Sequence, residues 1–211
     1  MKTLGTPLFL FDRDYRLSYP AIAGIDEAGR GPLAGPLVAA AVSFPPDLEL
    51  DGVNDSKTLS FGRREELYRL ITEHALGYSV GMVESSELDR VGMSEAVRLS
   101  FLRAASSLKV SADLFIIDGL PVRGLGIPAE FVVRGDSRSL SVAAAGIIAK
   151  VTRDRIMIKA DALYPGYSFS TNMGYGTREH MLALGNLGPC PIHRRSFSPL
   201  RDQGQMRLPL E

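Results

Sequence analysis

Two apolar segments, residues 21–25 and 37–44, flank a loop crowded with glycine and proline and read as neighbouring strands. Pro45 and Pro46 close the second strand, because proline brings no backbone donor to a ladder. A polar loop over 51–60 then leads into a helix at 63–75, where Leu67, Leu70 and Ile71 recur at helical spacing. Residues 78–83 predict a third strand, followed by a short helix at 86–90 and a longer one at 94–108 with a stripe of Val97, Phe101, Leu102 and Ala105. The apolar runs 114–117 and 131–133 stop abruptly at Asp118-Gly119 and Gly135-Asp136, as buried strands do when they deliver a carboxylate at their tips. The longest helix, 140–162, is apolar nearly all round through Ala149 and then acquires Lys150, Arg153, Arg155 and Lys159. Its first half is expected to be buried and its second half to surface.

From Tyr164 the pattern changes to glycine, aromatic and basic residues with one helix near 178–184. We divide the chain there, into a core at 1–163 and a C-terminal extension at 164–211 packed on it. The element order predicts an α/β sandwich built on a mixed sheet with flanking helices, and 211 residues with 45% apolar content suit one well-buried core.

Composition narrows this picture only modestly. The 24 basic residues balance 24 acidic ones, so a role with nucleic acid must rest on charge distribution and not on net charge. The one cysteine, Cys190, excludes an intramolecular disulfide and a thiolate metal cluster, and suits a reducing cytoplasm. Ala21-Ile22-Ala23 imitates a signal-peptidase site, yet the apolar run 8–11 is short and is followed at once by Asp12, Arg13, Asp14 and Arg16. No apolar run is long enough to cross a bilayer as a helix.

Asp26-Glu27, Asp118 and Asp136 each follow a predicted apolar strand, which gathers them at one edge of the sheet. Clustered carboxylates repel one another unless a cation neutralises them, and an all-oxygen set favours the hard ions Mg²⁺ or Mn²⁺. Each alone has an ordinary alternative: Asp136 as a helix cap, Asp118 as a turn residue before glycine, Asp26 as a strand-end turn. Recurrence at three strand ends favours the shared site. Consecutive strand residues face opposite ways, so Asp26 and Glu27 are expected to converge only if the strand stops at them, where Ala28-Gly29-Arg30-Gly31-Pro32 makes a break plausible. That loop also allows close backbone approach to a ligand and sets a cation beside the carboxylates, although a glycine-rich structural hairpin would look the same.

These motifs, in order, resemble those of ribonuclease HII from about Ile22 to about Pro199. Asp26-Glu27-Ala28-Gly29-Arg30-Gly31 is similar to the family's opening motif, Asn54-Asp55-Ser56-Lys57 to its second and Asp118-Gly119 to its third. Arg134-Gly135-Asp136-Ser137 with the long helix, Tyr164-Pro165-Gly166-Tyr167, Gly174-Tyr175-Gly176-Thr177 and His193-Arg194-Arg195-Ser196-Phe197 complete the series. The chain departs from the family at Gly146, where serine is commoner; we expect that to touch the helix and no ligand.

The resemblance implies a ribonuclease H-like fold with a small C-terminal helical lobe. It also implies Asp26, Glu27, Asp118 and Asp136 as metal-binding catalytic carboxylates, and two divalent ions, Mn²⁺ or Mg²⁺, about 4 Å apart. Gly29, Arg30 and Gly31 would sense a ribose 2′-hydroxyl, and Tyr175 would stack on the adjacent deoxyribose. Lys57, Arg194 and Arg195 are candidate phosphate contacts, although each taken alone is more often a solvated surface charge. His193 is left as a proton donor or phosphate contact without an assigned role; His74 and His180 are expected at the surface of helices. The implied substrates are RNA–DNA hybrids and duplex DNA containing ribonucleotides, cut on the 5′ side of the ribonucleotide to leave a 3′-hydroxyl and a 5′-phosphate. The implied enzyme is a cytoplasmic monomer with a part in DNA repair, and residues 203–211 lack the paired aromatics of a typical clamp-binding peptide.

Overall fold

The computed structural model describes residues 5–201. Five strands, β1 (Ile22–Ala28), β2 (Leu37–Ser43), β3 (Gly77–Val83), β4 (Leu114–Asp118) and β5 (Ala129–Val132), form one mixed sheet in the order β3-β2-β1-β4-β5. β1 pairs antiparallel with β2 and β2 with β3, while β1 pairs parallel with β4 and β4 with β5. β1 and β2 are buried on both faces, which is why they read as unbroken apolar runs instead of alternating ones. Helix α4 (Met93–Ser107) covers one face through Val97, Phe101 and Ala104. Helix α5 (Leu140–Leu163) covers the other, with α2 (Phe61–His74) adding Leu67 and Ile71 beside it. The sandwich expected from the sequence is the one observed.

Helix α1 (Pro7–Arg16) has no counterpart among the elements predicted from the sequence. Its buried Asp12 accepts hydrogen bonds from Ser139 Oγ (2.6 Å), Ser141 N (2.8 Å) and Ser141 Oγ (2.6 Å). A carboxylate at the start of α5 also complements the helix dipole. Burial nevertheless pushes the Asp12 carboxyl up, with the two serines acting in the opposite sense.

The expectation that the second half of α5 surfaces is corrected for Arg153, which is 1% exposed, and for Asp154, Met157 and Ala160, all buried. Asp154 is paired with Lys150 (2.7 Å) and with Arg64 of α2 (3.8 Å); for the other three the cause is the chain beyond Tyr164. α6 (Phe169–Asn172), α7 (Arg178–Leu187) and the segment to Leu200 fold back over this half. Tyr167, Phe169, Leu184 and Leu200 join Met157, Ala160, Leu33 and Ala34 in a separate apolar cluster. Among the described residues no helix is long and apolar enough to cross a membrane. α3 (Ser85–Val91) and a 3₁₀ turn (Gly135–Ser137) complete the elements.

Candidate active site

The parallel ladder between β1 and β4 sets the centre of the site. Ile25 lies opposite Ile117, so the next residue on each strand, Asp26 and Asp118, emerges side by side at the C-terminal edge of the sheet. β5 then carries the chain through Arg134, whose left-handed backbone (φ 57°) starts the turn that presents Asp136. Asp118 Oδ1 accepts a hydrogen bond from Gly135 N at 2.6 Å and locks this turn against the end of β4. One sheet edge thus brings Asp26, Glu27, Asp118 and Asp136 together.

β1 does not break at Asp26; it continues in register, with Asp26 opposite Ala40 and Glu27 opposite Ala39. The two carboxylates therefore start from opposite faces, and the expected strand break is corrected. Asp26 lies on the α5 face, against Gly146, where an added Cβ would come well inside the 3.0 Å that real Cβ atoms keep from its Oδ2. Gly146 therefore touches a proposed ligand after all, which corrects the expectation that its departure from the family pattern concerns the helix alone.

The electrostatics match this crowding. Burial, then the neighbouring charges of Glu27, Asp118 and Asp136, push the Asp26 carboxyl well above its ordinary range. Burial also raises Glu27, opposed by Arg30, whose Nε lies 2.6 Å from Glu27 Oε1. Glu27 Oε2 is buried and has no hydrogen-bond partner. Asp136 is raised by burial and by Asp118 and Asp55, with Lys57 acting against them. An orphaned buried carboxylate oxygen beside three further carboxylates is the donor set a hard divalent cation takes. The oxygens are turned to local partners (Arg30, Gly135 N, and Lys57 at 3.8 Å from Asp136 Oδ2), and among the described residues no three His, Cys, Asp or Glu side chains already surround one ion-sized point. The residues fit such ions, and the side chains would turn to receive them.

Lys57 stands on a loop shaped by Asn54 and Asp55, whose side chains accept from the Asp55 and Lys57 amides at 2.8 and 2.9 Å. Burial works to lower its pKa, but Asp55, Asp26, Asp136 and Asp118 together raise it, so it remains a cation at the edge of the cluster. Across the carboxylates from it, the loop at 29–36 depends on glycine at Gly29, where φ is +101° and a Cβ would strike Arg153 and the Pro36 carbonyl. Gly31 and Arg30 are exposed at the tip, and the Tyr175 ring lies beside Gly31, its Cε1 3.8 Å from where a Cβ would stand. Tyr175 is 45% exposed.

Arg194, expected as a surface phosphate contact, is fully buried. Its Nε and Nη2 donate to the Gly35 carbonyl at 3.0 and 2.8 Å, and its Nη1 to Arg30 O at 3.1 Å. Arg153 does the same from α5, donating to Pro36 O (3.0 Å), Ala34 O (3.0 Å) and Met173 O (2.9 Å). Burial and mutual repulsion lower Arg194 to about 9, still a cation at neutral pH. Two guanidinium forks thus shape the loop at 29–36 from beneath. Arg195 is exposed, and its amide donates to Asp89 Oδ2 at 2.7 Å, tying the segment to α3. His180, expected at the surface, is 0% exposed and its ring meets that of His193; His74 is exposed as expected. Nothing in the spacing of charged residues marks Arg153 or His180 as buried, because arginine and histidine on helices are far more often exposed.

A family profile described as Ribonuclease HII matches residues 23–199. The Ribonuclease HII of Desulfitobacterium hafniense (strain Y51) is 50% identical over 185 residues, which span 88% of this chain and 71% of that protein. Among solved structures, the ribonuclease H2 from Pyrococcus horikoshii OT3 superposes with a TM-score of 0.74 at 28% identity, over 88% of this chain and 98% of that one. The RNase HII of Archaeoglobus fulgidus, solved in complex with PCNA, gives a TM-score of 0.70 at 27% identity over 90% and 96% of the two chains.

Proposed function

Since the chain belongs to the ribonuclease HII family, endoribonucleases of RNA–DNA hybrids that depend on divalent metal ions, we propose that it cuts on the 5′ side of ribonucleotides, both in hybrids and singly embedded in duplex DNA. The observation that carries this reading is the gathering of Asp26, Glu27, Asp118 and Asp136 at one sheet edge, beside a glycine loop and an exposed tyrosine. When bound, two Mg²⁺ or Mn²⁺ ions would supply charge neutralisation at the scissile phosphate and the acidity that activates a water. The four carboxylates would hold those ions, and their mutual repulsion gives the cluster its affinity for positive charge. Lys57 faces Asp136 from the solvent side, where its ammonium neutralises a phosphate oxygen of the cleaved strand.

Specificity for the ribose comes from the loop at 29–31. Its backbone approaches the sugar without side-chain hindrance at exposed Gly31, while Gly29 supplies the backbone bend over Arg153, and it offers groups that a 2′-hydroxyl satisfies and a 2′-hydrogen does not. Tyr175 packs on the next, deoxyribose sugar, so the pair reads an RNA–DNA junction. Residues 164–201 serve as the substrate-facing extension that carries Tyr175 and Arg195. Products are a 3′-hydroxyl and a 5′-phosphate, the enzyme is a monomer, and it works in the cytoplasm in ribonucleotide removal.

The test is cleavage of a duplex with one embedded ribonucleotide, alongside all-DNA and all-RNA duplexes, in Mg²⁺ and in Mn²⁺. Cleavage 5′ to the ribonucleotide alone is expected, with no product from all-DNA. Asp136→Asn is expected to abolish turnover while leaving the melting temperature and duplex binding nearly intact; a fully active variant would refute the carboxylate assignment.

A further inference from the structure

His180 and His193 meet ring to ring in a compartment the proposed chemistry does not use. Their Nε2 atoms are 2.9 Å apart. At one end, His180 Nδ1 lies 2.8 Å from the backbone carbonyl of Tyr175. At the other, His193 Nδ1 lies 3.0 Å from the Cys190 amide and 3.1 Å from its Sγ. Tyr167 and Phe169 wall the pair, with Tyr167 5.0 Å from the His193 ring and Phe169 5.3 Å from that of His180.

The two ends determine the protons. A carbonyl can only accept, so His180 Nδ1 carries a hydrogen; a backbone amide can only donate, so His193 Nδ1 carries none. With one proton on each neutral ring, His180 Nε2 is bare and His193 Nε2–H donates to it. The alternative in which His193 Nδ1–H donates to Cys190 O at 3.3 Å fails twice. It points that hydrogen at the amide N–H, and it leaves His180 Nδ1 bare against a carbonyl. A third proton would set two N–H groups head to head. Burial lowers both rings, and Arg195 and His180 add to this at His193; Cys190, raised by burial, stays a thiol.

We propose that His180 and His193 are positioning residues which, through a one-directional hydrogen-bond chain from Cys190 N–H to Tyr175 O, fix the turn that presents the Tyr175 ring to the duplex. This rests on the reading that Tyr175 contacts the substrate sugar. The geometry makes the link direct. Tyr175 O also accepts from Thr177 N at 2.8 Å, and Tyr175 N donates to Asn172 O at 2.9 Å, so His180 completes the bonding of a tight turn from which the ring projects, 45% exposed. Loss of His193 leaves buried His180 Nε2 without its donor and no longer fixes the hydrogen on the nitrogen that faces the Tyr175 carbonyl; the turn is then free to rotate, which weakens substrate engagement and leaves the carboxylates untouched.

The experiment is a double-mutant cycle on the embedded-ribonucleotide duplex, reading KM and kcat separately. His193→Phe keeps the packing and removes the chain; KM is expected to rise roughly three- to tenfold, the value of one hydrogen bond, with kcat within twofold. His193→Gln, whose amide N–H still reaches His180, is expected to restore KM. In a Tyr175→Ala background, His193→Phe is expected to change KM no further. Additive effects, or a fall in kcat with KM unchanged, overturn the positioning role while leaving the Tyr175 contact standing. An unchanged KM in Tyr175→Ala alone removes that contact and the positioning role with it. Should His193→Phe fail to fold, ¹⁵N spectra of the native protein at pH 7 decide the chain. Protons on His180 Nδ1 and His193 Nε2 only are expected; any other tautomer or a rapid mixture overturns it.

Discussion

Substituting Gly146 by alanine tests whether the α5 face holds Asp26 in place. The new Cβ would enter the space of Asp26 Oδ2, and α5 can retreat only by breaking its close backbone packing on β1. Two residues before Asp26 on the same face, Gly24 already lies so close to the Ser141–Val142 backbone that any Cβ there would collide with it. The smaller adjustment is for Asp26 to swing, against a hydrogen bond of 2.7 Å from the Glu27 amide to its Oδ1. Alanine gains about 1 kcal/mol of helix propensity over glycine, against about 1–3 kcal/mol for overpacking. The net destabilisation is about 0–2 kcal/mol, a fall in Tm of at most roughly 8 °C for a chain of this size. The rate should suffer far more, because a misplacement of about 1 Å in a reacting constellation costs about a hundredfold. Gly146→Ser adds the same carbon with a hydroxyl that can donate to the displaced carboxylate, so it should recover most of the loss. The assay is kcat on the embedded-ribonucleotide duplex together with the rise in Tm on adding Mn²⁺, which reports binding independently of turnover. A Gly146→Ala protein with a rate within threefold of the original and an undiminished Mn²⁺ shift would refute the reasoning.

Two further outcomes follow from buried groups. Arg194→Lys keeps the charge but loses the planar fork, leaving carbonyls of Gly35 and Arg30 short of partners. It should lower stability by about 2 kcal/mol or more in denaturant titration, and a midpoint shift near zero would show that the loop needs no such support. The His193 ring is lowered to about 4 from the 6.5 of an unfolded histidine, so the unfolded chain takes up the proton first as pH falls. That contribution to stability is complete above pH 6.5 and is lost on descending toward pH 4; Tm measured across this window should fall, and His193→Gln should flatten the decline.

The strands were legible because β1, β2 and β4 are buried runs of apolar residues, and the carboxylates because each sits where such a run stops. Sequence could not reveal α1 as an element: its polar Asp12 is meaningful only against Ser139 and Ser141, about 130 positions away. Arg153 and Arg194 read as surface cations for a related reason. Their partners are main-chain carbonyls, which every residue carries and no sequence pattern marks. The pairing of His180 with His193 is hidden likewise, since α7 buries only His180 and Leu184 and so displays no strong apolar stripe. The opposed faces of Asp26 and Glu27 show the reverse case: alternation along a strand was known, but where the strand would end was not.

The loop at 29–36 leaves the ribosome early, yet the forks that give it its shape belong to residues 153 and 194. For most of its synthesis the growing polypeptide carries the loop proposed to read the ribose without the scaffold that bends it. The loop should therefore take its final shape only after residue 194 has emerged, so a chain truncated before that point is expected to lack the fork on Gly35 and to cut poorly.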